Sequence, residues 1–89
     1  MTSRPRRSRR LRETSDLLDM TRRVLKAIER RAPDEDPELI EELISIRAEL
    51  DLLIGQVVRI QRDNGVTWQL IGDLTGTTKQ AAIQKWNVA

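Results

Sequence analysis

The chain reads WQLIGDLTGTTKQAAIQKW from Trp68 to Trp86, and this stretch decides the fold of its C-terminal part. Apolar residues at helical spacing precede Gly76, and a second run with similar spacing follows Thr78. Glycine tolerates the left-handed backbone conformation that a tight turn between helices requires. The stretch therefore predicts a short helix, a turn at Gly76 and a second short helix, which is the layout of a helix-turn-helix.

Local signals mark the ends of these two helices. Thr67 and Thr78 are each placed to cap a helix N-terminus with the side-chain oxygen. Gly72 is predicted to let the second helix cross the first closely. The two Trp residues are the only aromatic residues of the chain, and a core explains them better than base stacking does. The expected core consists of Trp68, Ile71, Leu74, Ala82 and Trp86.

The segment 37–63 carries a regular apolar seam. Its members are spaced alternately four and three residues apart, a coiled-coil pattern that continues through three heptads. Asp36-Pro37 predicts the start of one long helix, and Asn64-Gly65 predicts its end. We expect the seam to be a dimerisation surface, and its members are Leu39, Leu43, Ile46, Leu50, Leu53, Val57 and Ile60.

A second, partial apolar stripe lies beside the seam. Since one seam serves one neighbour, two stripes predict two neighbours. A first helix is expected over 14–32, capped by Thr14 or Ser15 and ended by Pro33, and the short acidic loop folds it back antiparallel against one stripe. A second copy of the chain would take the other stripe, and the sequence leaves open which one. The alternative is a monomeric bundle of three or four helices. The stripe consists of Ile40, Ile44, Ile54 and Val58.

Charge is unevenly distributed along the chain. Residues 1–12 carry six arginines and no acid, whereas the remaining 77 residues hold ten basic and fourteen acidic side chains. We expect residues 1–12 to form a disordered basic arm that follows phosphates or enters a minor groove, although a solubilising tail would look similar. Eight acids between Asp34 and Asp51 would point away from a polyanion. The arginines are Arg4, Arg6, Arg7, Arg9, Arg10 and Arg12.

Together these elements predict an all-α protein with a single helical domain over 13–89. An antiparallel helical hairpin with a long heptad-patterned second helix is followed by a helix-turn-helix over 67–88. Such a hairpin places the basic arm and the helix-turn-helix at one end and the acidic loop at the other. Charge and topology therefore agree.

Composition excludes several classes of function. The chain has no Cys and no His, so it offers no disulfide, no thiolate metal site and no histidine metal ligand. No apolar run approaches the roughly 20 residues of a membrane span, and no apolar stretch follows the basic N-terminus as in a secretory signal. No nucleophile–base pair or phosphate-binding loop is present. We expect a cytoplasmic, nucleoid-associated protein that is not an enzyme, has no cofactor or metal and contacts no membrane.

The stretch TWQLIGDLTGTTKQAAIQKW, residues 67–86, resembles the short helix-turn-helix of actinobacterial and phage DNA-binding proteins. The resemblance covers under a quarter of the chain. It includes Thr67-Trp68, Ile71-Gly72, the turn Gly76, Gln80-Ala81-Ala82 and Gln84 to Trp86. Family members usually have Ala-Leu before the turn glycine and Val after it. Here Leu74-Thr75 and Thr77 replace them, which predicts a slightly rotated first helix or a looser turn.

The outward side of the second short helix is the expected reading surface. A Gln side chain pairs with the donor and the acceptor of adenine, and Lys serves guanine acceptors or phosphate. Threonines at a helix start donate to phosphate beside free backbone N–H groups. The plain alternative is a set of solvated polar residues. The expected DNA-binding residues are Thr77, Thr78, Lys79, Gln80, Gln84 and Lys85, together with Arg4, Arg6, Arg7, Arg9 and Arg10 of the arm.

We therefore expect a small dimeric, sequence-specific protein that binds double-stranded DNA, a transcriptional regulator of the repressor type. An architectural or recombination accessory DNA-binding protein is the first alternative. A coiled-coil adaptor whose basic arm binds an acidic protein or RNA is the second.

Overall fold

The computed structural model describes residues 3–87, with side chains from residue 13 onward, and this part of the chain is all-helical. Its α-helices are α1 (Ser3–Arg31), α2 (Glu38–Asp63), α3 (Trp68–Thr75) and α4 (Lys79–Trp86), and a 3-10 turn spans Ala32–Asp34. The chain divides into two units, Met1–Leu39 and Ile40–Ala89, which we describe separately. No helix within the described residues is long and apolar enough to cross a membrane.

The first unit contains α1, which begins at Ser3 rather than at the predicted residue 14. Arginine is among the better helix formers, and Pro5 lies in the first turn, where a missing N–H donor costs no helix hydrogen bond. Thr14 and Ser15 therefore lie inside the helix and do not cap it. The backbone of residues 3–12 belongs to α1, whereas the side chains of residues 1–12 lie outside the described residues, so contact of these arginines with DNA stays a prediction.

α1 ends where the sequence predicted. Arg30 and Arg31 occupy its last turn, where the helix dipole favours cations. The following 3-10 turn contains Pro33, and the Glu35 N–H donates to the Ala32 carbonyl at 3.1 Å. Most apolar side chains in the described part of α1 are exposed, including Leu17, Val24 and Leu25, whereas Ala27 and Ile28 are half-buried.

α2 is 26 residues long, which corresponds to roughly 39 Å. Gly65 ends it at a φ of 94°, as Asn64-Gly65 predicted. The Gly65 N–H donates to the Arg62 carbonyl at 2.9 Å, and the Val66 N–H donates to the Gln61 carbonyl at 3.0 Å. These two bonds form a Schellman motif that turns the chain sharply toward α3.

The core of the second unit lies where α3 and α4 pack against the C-terminal end of α2. Val58, Ile71 and Ala82 are buried, and Val66, Trp68 and Trp86 pack against them. The prediction that Leu74 belongs to this core is wrong, because its side chain is 74% exposed. α3 directs Ile71 and Gly72 inward, so Leu70 and Leu74 lie on its outer flank. With Val57 they line an apolar groove of about 360 Å³.

The predicted seam on α2 is exposed over most of its length in the single chain. Leu50 is 52% exposed, and Leu39 is the half-buried member of the set. The sequence prediction that Val58 belongs to a second helix-facing stripe understates its role, since Val58 is a buried residue beneath α3 and α4.

Candidate nucleic-acid interface

α4 begins at a well-defined cap. The Thr78 hydroxyl oxygen accepts a hydrogen bond from the Ala81 N–H at 3.0 Å, as the sequence predicted. The Thr78 carbonyl accepts from the Ala82 N–H at 3.0 Å. Because the cap uses the Thr78 hydroxyl only as an acceptor, its proton remains available to another acceptor.

The turn before α4 is held by its own backbone. Gly76 has φ 73° and ψ 26°, the left-handed conformation that the sequence predicted. The Thr77 N–H donates to the Gly72 carbonyl at 2.8 Å, and the Gly76 N–H donates to the Asp73 carbonyl at 3.4 Å. This is a second Schellman motif, so the direction in which α4 leaves α3 is determined by the backbone.

Gly72 brings the two short helices into direct backbone contact. A Cβ atom placed on Gly72 would lie 3.0 Å from the carbonyl carbon and oxygen of Thr78 and 3.1 Å from the Lys79 nitrogen. No side chain fits this gap without moving α4. The close crossing predicted for this glycine is therefore confirmed.

The two threonines beside Gly76 satisfy their hydroxyl groups locally. Thr75 Oγ1 donates to the Ile71 carbonyl at 2.8 Å and lies 3.1 Å from Thr77 Oγ1. Thr77 Oγ1 also lies 3.3 Å from the Thr78 carbonyl, so its one proton is donated either to this carbonyl or to Thr75 Oγ1. These bonds give the polar replacements in the turn a structural role, and they engage the Thr77 hydroxyl that we expected to face phosphate.

Two contacts attach the helix pair to α2, and sequence reasoning missed the one made by Arg62. Arg62 Nη1 donates to the Val66 carbonyl at 3.0 Å, while its guanidinium carbon lies 4.9 Å from the centre of the Trp68 ring. Trp86 packs about two turns earlier on the same face of α2, where Gly55 leaves room and a Cβ atom on Gly55 would lie 3.7 Å from Trp86 Cδ1. The sequence signal for the contact between Arg62 and Trp68 was an arginine in the last turn of a helix that is followed six residues later by a Trp.

α4 separates a buried side from an exposed one. Ala82 is 0% exposed, and Ile83 and Trp86 are half-buried. With 3.6 residues per turn, the opposite side carries Gln80, Ala81 and Gln84, all of which are exposed. Ala81 is exposed because it lies about 100° from Ala82 around the helix, in the direction away from Ile83 and Trp86.

Lysines flank this exposed side. Lys79 is exposed at the start of α4, and Lys85 Nζ lies 5.1 Å from the centre of the Trp86 ring. α4 contains no acidic residue. On α3, the carboxylate of Asp73 accepts a hydrogen bond from Gln69 Nε2 at 3.2 Å. The surface that α4 presents is therefore polar, weakly basic and free of carboxylates of its own.

The structure brings part of the predicted site together. Thr77, Thr78 and four α4 side chains lie within one turn and one short helix, as their spacing implied. The side chains of Arg4, Arg6, Arg7, Arg9 and Arg10 lie outside the described residues, so their relation to α4 stays a prediction. Comparison of the chain with protein-family models, with curated proteins and with solved structures finds no match.

Proposed function

We propose that this protein is a sequence-specific DNA-binding protein that places α4 in the major groove, with α3, the turn and α4 acting as a helix-turn-helix. The observation that carries the proposal is the exposed side of α4, where Gln80 and Gln84 lie one helical turn apart with no acid on the helix. Glutamine amides match the donor and acceptor that adenine offers in that groove.

The rigidity of the support favours the same function. Base reading requires side chains held in a fixed register, and three features hold α4: the Thr78 cap, the left-handed Gly76 and the backbone contact at Gly72. The Thr78 hydroxyl and the first N–H groups of α4 would position the helix on a phosphate. Lys79 and Lys85 would add contacts that do not depend on sequence.

We propose in addition that two copies of the chain associate through α2. The exposed seam is the supporting observation, and Val57 belongs both to this seam and to the groove lined by Leu70 and Leu74. A partner helix along α2 would therefore continue onto α3. A two-fold dimer would present two α4 helices to half-sites about one DNA turn apart, or a multiple of it, with the arginine arms on the flanking backbone. Because a bound dimer would occupy its DNA site and exclude other proteins from it, repression is the simplest mode of regulation.

Selection from random duplexes tests the proposal. We expect the full chain to enrich a two-fold repeated sequence, and Gln80→Ala to lose preference at one base in each half-site by about 1–3 kcal/mol. Gln56→Ala is the matched control, because Gln56 is an exposed glutamine on α2. Enrichment of no sequence by the wild-type chain would refute specific readout, and binding to duplexes without preference would favour an architectural role. An absence of duplex binding would favour the adaptor.

A further inference from the structure

Ala81 is an exposed residue whose surroundings give it no structural task in the described chain. Its backbone N–H donates to the Thr78 cap, so the position of its Cβ is set by the first turn of α4. Ala82, the next residue, is completely buried, whereas Ala81 lies about 100° away from it around the helix, on the side away from Ile83 and Trp86, and is exposed.

The neighbours of Ala81 give its methyl group a defined setting. Gln80 precedes it, and Gln84 and Lys85 lie one turn further along the same exposed side. A short side chain among three long ones leaves a shallow recess with an apolar floor. A helix that carries such a recess approaches a groove more closely than one covered with long side chains throughout.

One group in the major groove matches this recess. Thymine alone among the four bases presents a methyl group there, and small apolar side chains contact it. Glutamines next to the recess match adenine, the partner of thymine in a pair. Both chemistries on the exposed side of α4 therefore point to the same kind of base pair.

We propose, on the basis of the DNA binding argued above, that Ala81 determines specificity by contacting a thymine methyl group, and that each half-site contains A·T pairs under Gln80, Ala81 and Gln84. This assigns a chemical class of target to the α4 surface. Guanine-rich half-sites would leave the methyl group of Ala81 without an apolar partner and the two glutamines without their best-matched base.

Replacement of single thymidines by deoxyuridine tests the contact, because only the C5 methyl group is removed. The duplex is the one that the full wild-type chain enriches from random sequences, and each thymidine of a half-site is replaced in turn. We expect one replacement to weaken wild-type binding about fourfold, which corresponds to roughly 0.8 kcal/mol for one buried methyl group.

Ala81→Gly should bind the thymidine and deoxyuridine duplexes equally at that position. Any weakening of α4 by glycine affects both duplexes alike, so the ratio of the two affinities remains interpretable. Gln56→Ala, at an exposed glutamine on α2, is the control and should keep the fourfold ratio. Ala81→Leu, which fills the recess, should lose about tenfold in affinity, roughly one base contact, with an unchanged melting temperature because the position is exposed.

The outcomes separate this inference from the proposal beneath it. If the wild-type chain enriches a sequence but tolerates every deoxyuridine, or if Ala81→Gly keeps the fourfold ratio, the thymine contact is overturned while DNA binding stands. If the wild-type chain enriches no sequence, specific DNA binding itself fails and the contact fails with it.

Discussion

The two ends of α2 have different surroundings. Near the C-terminal end, Val58 is buried beneath α3 and α4, and the guanidinium of Arg62 covers the Trp68 ring. Further toward the N-terminal end, Ile46 and Leu50 are equally apolar and are about half exposed. At its C-terminal end α2 is thus covered on the face that carries Val58, whereas its seam is exposed there as well, with Val57 45% and Ile60 56% exposed. Apolar residues in a regular seam without cover indicate a surface that another helix is needed to fill.

A charge in the seam tests the exposed face of α2 and should have the largest effect. Leu50→Glu would bury a carboxylate without a partner in the proposed dimer, at a cost of several kcal/mol. We expect the variant to be monomeric or unfolded by sedimentation equilibrium and circular dichroism. Leu52→Glu is the matched control, since Leu52 is 72% exposed and lies off the seam, and it should remain dimeric. If sedimentation shows that the wild-type chain is a folded monomer at micromolar concentration, the proposed dimer through the seam is refuted.

Truncation of one core residue tests the covered face of α2. Ile71→Ala removes a buried side chain from a core with few members among the described residues, and we expect the free energy of unfolding to fall by about 2–5 kcal/mol. Leu74→Ala removes similar atoms from the exposed flank of α3. Its effect should be small in dilute protein and should grow with protein concentration, because only a partner chain would cover this side chain. Thermal melts of both variants at two protein concentrations measure these effects. If both variants lose the same stability, the placement of Leu74 on the exposed flank is contradicted.

Two glycine substitutions should give the smallest effects, with opposite signs. Gly76→Ala forces a side chain into the left-handed region and should destabilise the fold by about 1–2 kcal/mol. Gly55→Ala adds an ordinary contact with Trp86 inside a helix and should stabilise it by up to about 1 kcal/mol. Urea titration of the two variants checks both signs. A stabilising Gly76→Ala would show that the turn relaxes in solution.

Local signals in the sequence identified much of the C-terminal unit. The caps at Thr67 and Thr78 and the left-handed Gly76 were predicted from residue types that act within three or four positions. The end of α2 at Gly65 was predicted in the same way. Such features follow from the sequence because the interacting groups are neighbours in the chain.

The side of each short helix that faces the core was harder to predict. α3 has eight residues, so its apolar positions do not define one face clearly, and Leu74 was assigned to the core in place of Val66. The start of α1 was also placed too late, because a run of arginines resembles an arm in composition while it favours a helix in propensity. The exposure of the glutamines on α4 was anticipated, but that of Ala81 was not, because it depends on how α4 is turned.

The attachment of α3 and α4 to the end of α2 makes that helix a lever. In the proposed dimer held along the seam, the two α4 helices would be carried at the ends of rods roughly 39 Å long. If the rods cross at their midpoints, a change of about 10° in the crossing angle would move the two ends relative to each other by about 3.4 Å, the rise of one base step. The residues that set the crossing angle, far from any base, would therefore determine the spacing between half-sites.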